Sequence, residues 1–292
     1  MDLVTGGSGF LGTHFCKTID CISPRYMDIL TRPDKVFQRG NNIQRVYHLA
    51  ADVGGIGYLK QQPYTIFQRN VLFFLRMIEY AQANPPGFKE LIVAGSVCEY
   101  GEGMPMREDN LNLGIPVYDT RGYGWAKRAI YNAGEMFEAE TGIRVLHIVY
   151  TNLYGPGDKS SHVVAELVRK FCDAKKRGEG VVEVWGNGEA TRDLLYVSDA
   201  SRMLKEASER YYGDAINLAT GVETTIRELA FTIAWACDYT GKIKFGGGPV
   251  GEKRRDIDVT RMLSCDIRPE VELEEGIKKT VEWYMGENTS NG

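Results

Sequence analysis

The run Leu3-Val4-Thr5-Gly6-Gly7-Ser8-Gly9-Phe10-Leu11-Gly12 joins a short apolar strand to the start of a helix through a glycine turn. Glycines at 6, 9 and 12 permit, in that order, a tight turn, close approach of a pyrophosphate, and close packing of helix on sheet. Free N–H groups and the dipole at the start of the following helix favour an anion there. A glycine pattern by itself says little, because turns use glycine for conformational reasons alone. Its place directly after a strand makes it a dinucleotide-binding signature.

Outward from this turn, short apolar runs alternate with helical patterns. Arg45–Ala50, Leu91–Ala94 and Val145–Tyr150 read as strands, with helices predicted at Thr65–Ala83 and Tyr123–Thr141 between them. Buried strands alternating with helices imply a parallel sheet covered on both faces. Only a short stretch, broken by Pro24 and Pro33, separates Gly12 from Val46. An abbreviated second strand is expected near Cys21–Ser23, with little regular structure after it. Beyond Pro156 the pattern gives a helix at Ser161–Lys176 and strands at Val181–Trp185, Leu194–Val197 and Ala215–Leu218. Helices follow at Thr225–Tyr239 and Glu274–Tyr284, and the tail Glu287–Gly292 is expected to fray. The fold class is α/β: a Rossmann-like doubly wound parallel sheet with a smaller, discontinuous α/β substrate domain. The nucleotide-binding domain is expected at 1–158 plus roughly 190–220, and the substrate domain at roughly 159–189 plus 221–292.

The 292 residues carry a formal net charge of -4, so no basic field draws in nucleic acid. The six cysteines form no Cys-x-x-Cys pair and only four histidines are present, which gives no zinc pattern. Scattered free cysteines fit a reducing compartment. Asp2 stands where a leader's basic region would be, and the most apolar run, Val71–Ile78, contains Arg76. A soluble, cytoplasmic protein with no membrane partner is expected.

A second motif is Tyr123-Gly124-Trp125-Ala126-Lys127. Residues four apart lie on one helix face. An ammonium beside a phenol favours the phenolate, so Tyr123 would exchange protons near neutral pH. An isolated Tyr-x-x-x-Lys is usually an ordinary helix start. Here Ser96 ends the strand Leu91–Ala94, where a parallel sheet presents active-site groups, and its hydroxyl would bond the same reacting oxygen.

Taken together, these motifs resemble the extended short-chain dehydrogenase/reductase family. Finer matches point to its GDP-L-fucose synthase branch (GDP-4-keto-6-deoxymannose epimerase-reductase). They are Tyr47–Ile56, Gly95–Tyr100, Thr151–Pro156, Ser161-His162-Val163 and Asp258-Val259-Thr260-Arg261. The resemblance implies that Ser96, Tyr123 and Lys127 serve hydride transfer. It implies that Cys98 and His162 move protons at carbons flanking a ketone, one from each face. By itself Cys98 reads as a small buried residue and His162 as a helix-start histidine. The cofactor is implied to lie against Gly6, Gly9, Phe10, Leu11, Gly12, Leu49, Ala50, Ala51, Asn152 and Leu153, with Tyr123, Lys127 and His162 at its reactive end. For the substrate the resemblance implies Val163, Lys170, Trp185, Arg192 and Arg255, arginine because its planar fork matches phosphate oxygens.

Departures from the branch include Val97, Glu99, Gly101, Ser8, and Tyr150 in place of a proline. They bear on which sugar is used. Arg25 and Arg32 suit the extra phosphate of NADP, while Asp28 suits NAD; the reading leans to NADP. The substrate is expected to be a nucleotide sugar, GDP-linked, and the assembly a homodimer through the two helices Thr65–Ala83 and Tyr123–Thr141. The first of these is apolar almost all round and so is expected to be buried on more than one side. A 4-epimerase, a 4-reductase or a GDP-heptose-modifying enzyme of the same family is the alternative activity. A non-catalytic nucleotide sensor is the alternative of another class.

Overall fold

The computed structural model describes residues 1–25, 43–83, 89–247 and 256–289. Among these, six parallel strands form one sheet in the order β10-β5-β4-β3-β1-β2. The strands are β1 (Asp2–Thr5), β2 (Cys21–Ile22), β3 (Arg45–His48), β4 (Glu90–Ser96), β5 (Arg144–Tyr150) and β10 (Ala215–Leu218).

β4 shows why these segments are strands. Leu91 and Val93 point to one face, where they join Leu3, Val46 and Val145. That face is covered by Phe74 and Met77 of α3 (Pro63–Ala83) and by Ile130 and Phe137 of α4 (Arg121–Thr141). Ile92 and Ala94 point to the other, with Val4, Tyr47, Leu146 and Ile148. Phe15 of α1 (Phe10–Phe15) and Ala200, Met203 and Leu204 of α6 (Val197–Arg210) cover it. Period-two side chains buried on both faces are the mark of a doubly covered parallel sheet.

A second cluster lies around α5 (Val163–Arg177), α7 (Ile226–Ala236) and α9 (Leu273–Thr289), packed through Leu167, Phe171, Leu229, Ile233, Ile277 and Val281. Two strands, β7 (Val181–Val184) and β12 (Lys242–Phe245), pair in parallel beside it. Between this cluster and the main sheet, β6 (Asn152–Tyr154) pairs with β9 (Leu194–Tyr196).

The predicted elements recur with shifted ends, and the short β2 stands where it was expected. α9 continues to Thr289, past the point where fraying was expected. Helix α6 was not foreseen, although Ala200, Met203, Leu204 and Ala207 have the spacing of a buried helix face; the run Leu194–Val197 reads as a strand that ends the pattern. The short helix α2 (Ile56–Gln61) was also missed. Within one chain, helix α3 packs Phe74 and Met77 against the sheet and α4, while Leu72 and Leu75 are 45% and 43% exposed. No helix among the described residues is long and apolar enough to cross a membrane.

Candidate active site

The carboxyl ends of β1, β3, β4 and β5 open on one cleft of about 1070 Å³. β1 lies between β2 and β3, so the crevice stands at the point where the strand order reverses, the usual ligand position in such sheets.

The glycine turn forms one wall. Gly6 has φ +75°, and a Cβ there would stand 2.6 Å from the Ala50 nitrogen. A Cβ on Gly12 would stand 2.1 Å from the Gly6 carbonyl, so Gly12 shapes the loop from behind and does not face the cleft. Gly6, Gly9, Phe10 and Leu11 line the cleft, facing Leu49, Ala50 and Ala51 from the end of β3. Asn152 and Leu153 of β6 continue the wall. This bare cradle fits a dinucleotide, whose phosphates need close approach to backbone. Arg25 is exposed beside Pro24, and Pro24, not Arg25, lines the cleft. Asp28 and Arg32 lie outside the described residues, as do Arg254 and Arg255.

Ser96, Cys98, Tyr123 and Lys127 come together at the ends of β4 and α4. A tight turn follows β4. The Ser96 hydroxyl accepts the Cys98 N–H at 3.3 Å, and the Glu99 carboxylate accepts the Ser96 N–H at 2.5 Å. Helix α4 approaches this turn because Gly124 has no side chain; a Cβ there would stand 2.2 Å from the Cys98 carbonyl. Tyr123 is buried against Leu59, Ile66 and Cys98. Burial pushes its phenol well above the ordinary range, and the nearby Cys98 and Glu99 add to the effect. The expected pull of Lys127 toward the phenolate is not what dominates. Lys127 is itself sealed, donates to the Ala94 carbonyl, and lies 5.5 Å from the Tyr123 ring centre. Burial lowers it to about 8.

His162 precedes α5 and faces the same cleft, half-buried. Burial lowers its imidazole, and the Asp158 carboxylate opposes that shift. Val163 and Lys170 of α5, Trp185 and Arg192 line the far end. Lys170 stacks on Trp185 with Nζ 4.7 Å from the ring centre, a cation–π contact. Arg192 sits on β8 (Thr191–Arg192), which pairs with β11 (Thr224–Thr225).

Sequence reasoning missed three groups. Glu99, fully buried, pairs with His147 on β5 at 2.8 Å. Arg128 donates to the Glu99, Leu113 and Gly114 carbonyls, fixing the turn. Asp158 is buried on the cleft wall. Glu99 was visible only as a departure; its partner lies 48 residues away in sequence. The stretch Asp258–Arg261 proves to be a clasp. Arg261 binds Asp109, Asp214 and the Ala215 carbonyl, while the Asp258 carboxylate takes the Thr260 N–H at 2.8 Å.

A model of the NAD dependent epimerase/dehydratase family matches residues 3–219. The chain is 31% identical to a GDP-L-fucose synthase of Sinorhizobium fredii (strain NBRC 101917 / NGR234), over 99% of this chain and 96% of that protein. It is 32% identical to the GDP-L-fucose synthase of Escherichia coli (strain K12), over 85% of this chain and 82% of that one. The solved GDP-L-fucose synthetase from Naegleria fowleri bound to NADP superposes with a TM-score of 0.85 at 26% identity, covering 99% of this chain and 93% of the other. The chain belongs to the NAD dependent epimerase/dehydratase family, within the extended short-chain dehydrogenases/reductases. It is an NAD(P)-dependent enzyme of the sugar epimerase/reductase class.

Proposed function

We propose that this enzyme epimerises and then reduces a GDP-linked 4-keto-6-deoxy sugar, using NADPH. One observation carries the reading: Ser96, Tyr123 and Lys127 share a single cleft with Cys98 and His162. Relatives named GDP-L-fucose synthase, matched over most of the chain, support the sugar and its nucleotide. NADPH supplies the hydride. Cys98 and His162 take and return protons at the carbons flanking the ketone. Tyr123, with the Ser96 hydroxyl in the same cleft, stabilises charge on the ketone oxygen and gives it a proton at reduction. Trp185, Lys170, Arg192 and Arg255 hold the nucleotide diphosphate end. The scattered cysteines, which form no Cys-x-x-Cys pair, support a cytoplasmic enzyme. The test is NADPH oxidation with GDP-4-keto-6-deoxymannose in deuterated water. Consumption of NADPH with deuterium entering next to the carbonyl is expected; reduction with no deuterium would end the epimerase reading. That second outcome belongs to a plain 4-reductase on a related sugar.

The cofactor preference rests on Arg25. If its guanidinium holds the adenosine 2′-phosphate, Arg25→Ala weakens NADPH binding by about 1.5–3 kcal/mol, the worth of a charge-assisted bond, and leaves NADH unchanged. Titration calorimetry with both cofactors reads this directly. Equal losses would take Arg25 out of the site and reopen NAD.

The assembly is proposed as a homodimer in which α3 and α4 pair with their mates. The open flank of α3 offers Leu72 and Leu75, and α4 offers Met136 at 65% exposure. Light scattering at micromolar concentration is expected to give twice the chain mass; a monomer mass would refute the pairing.

A further inference from the structure

Asp158 is an acid that the reaction scheme above does not use. It is 7% exposed, and its Oδ1 accepts the Ser160 N–H at 2.9 Å. Its Oδ2 is sealed from solvent, with no donor within hydrogen-bond distance among the described residues. A carboxylate oxygen buried in this way is costly unless a donor reaches it. Ser160 ties the same turn to His162, because its hydroxyl accepts the His162 N–H at 3.2 Å. Arg169 then holds the Ser160 carbonyl at 3.1 Å, anchoring the turn to α5. Carboxylate and imidazole are thus fixed in one five-residue loop, on the wall of one cleft.

The other charged groups on that wall are engaged elsewhere. Asp52 accepts from Tyr58 at 2.7 Å and from Arg69 at 3.0 Å. Glu166 accepts from Arg169 at 2.6 Å. Lys127 donates to the Ala94 carbonyl, Lys170 lies over Trp185, and Arg192 donates to the Thr191 carbonyl. Burial disfavours a charged imidazole at 162, and Asp158 is the carboxylate whose charge counters it.

We propose that Asp158 is the positioning residue of His162: its unengaged oxygen accepts the ring N–H of the protonated imidazole and makes His162 the proton donor of the Cys98–His162 pair. Cys98 is then the base. Its thiolate takes a proton from the carbon beside the ketone, leaving the enolate, and the imidazolium returns a proton to the opposite face. The cycle leaves a Cys98 thiol and a neutral imidazole, and exchange with solvent resets both. The inference rests on the reading of His162 as an acid/base group.

The first measurement needs no substrate. Only four histidines, at 14, 48, 147 and 162, are present, so the His162 ring can be followed by nitrogen-15 NMR. Asp158→Asn keeps an acceptor for the Ser160 N–H and removes only the charge. His162 should titrate lower in that variant by about 1 in pH, and Asp158→Glu should restore much of the difference. In deuterated water, proton exchange into the 4-keto sugar should then fall about tenfold at pH values above both titration points, and approach the wild-type rate at low pH. A purely structural role would lower exchange equally at every pH. An unchanged His162 titration in Asp158→Asn would overturn the proposal. Should that variant fold poorly, Ser160→Ala is the second probe: losing the hydroxyl that holds the turn should also lower the His162 titration, and no change there would count against the assignment equally. A wild-type enzyme that reduces without deuterium uptake would instead end the epimerase reading, and leaves the NMR result to stand by itself.

Discussion

Tyr123→Phe is expected to lose reduction by a factor of about 100 to 10,000 while NADPH and the GDP-sugar still bind. The phenol is buried and held protonated, which suits a group that must give up a proton as the ketone oxygen becomes an alcohol. Phenylalanine keeps the packing against Leu59 and Ile66 and removes only that proton. The pH profile adds a second readout. Lys127 loses its charge as pH rises through about 8, because burial lowers it from the usual lysine range. Its ammonium is present below that point and lost above it. Single-turnover oxidation of NADPH should therefore slow as pH rises through about 8, and Lys127→Met should remove that limb. Wild-type rates of reduction in Tyr123→Phe would remove the tyrosine from the chemistry.

The second large effect separates proton exchange from hydride transfer. Cys98→Ala and His162→Ala should each suppress deuterium uptake beside the carbonyl by about 100- to 10,000-fold. Both should keep cofactor binding, since the glycine wall and the Leu49–Ala51 wall lie on other elements. Either variant would still reduce the unepimerised ketone and give a different product, visible by NMR of the sugar. Normal exchange in both would preserve the overall activity and sink the assignment of these two residues.

Much of this was legible from local signals. The glycine turn, the three apolar strands and Tyr-x-x-x-Lys are short-range patterns, and each depends on neighbours within a few residues. The position of Ser96 followed from β4 being a buried strand with its end at the crevice. What stayed hidden depends on distant pairing. The partner of Glu99 comes from β5, so a carboxylate at 99 looked only like an oddity. The burial of Asp158 depends on how its loop packs, which no periodicity reports. The phenol of Tyr123 was misjudged for the same reason: four-residue spacing shows that Lys127 is near, but desolvation of both groups is a property of the assembled core. Asp258–Arg261 was readable as a motif but not as a clasp, since Asp109 and Asp214 join it from far along the chain.

The order of strands in the sheet also governs how the chain is made. β1 emerges first, yet its neighbour β3 follows only after some forty residues, with Leu3 set against Val46. β5 is bordered on one side by β4, and on the other by nothing until Ala215–Leu218 leaves the ribosome and docks with Ala215 opposite His147. Until then the row of backbone groups from His147 to Tyr150 is an unguarded edge on a hydrophobic sheet, the kind of template on which nascent chains join one another. The residues proposed to carry the chemistry have all been synthesised by His162, but the sheet that holds them has not. Once His162 has left the ribosome and before Ala215–Leu218 docks, the chain displays the candidate site on an aggregation-prone platform, and the last strand of the sheet acts as the chain's own protective cover.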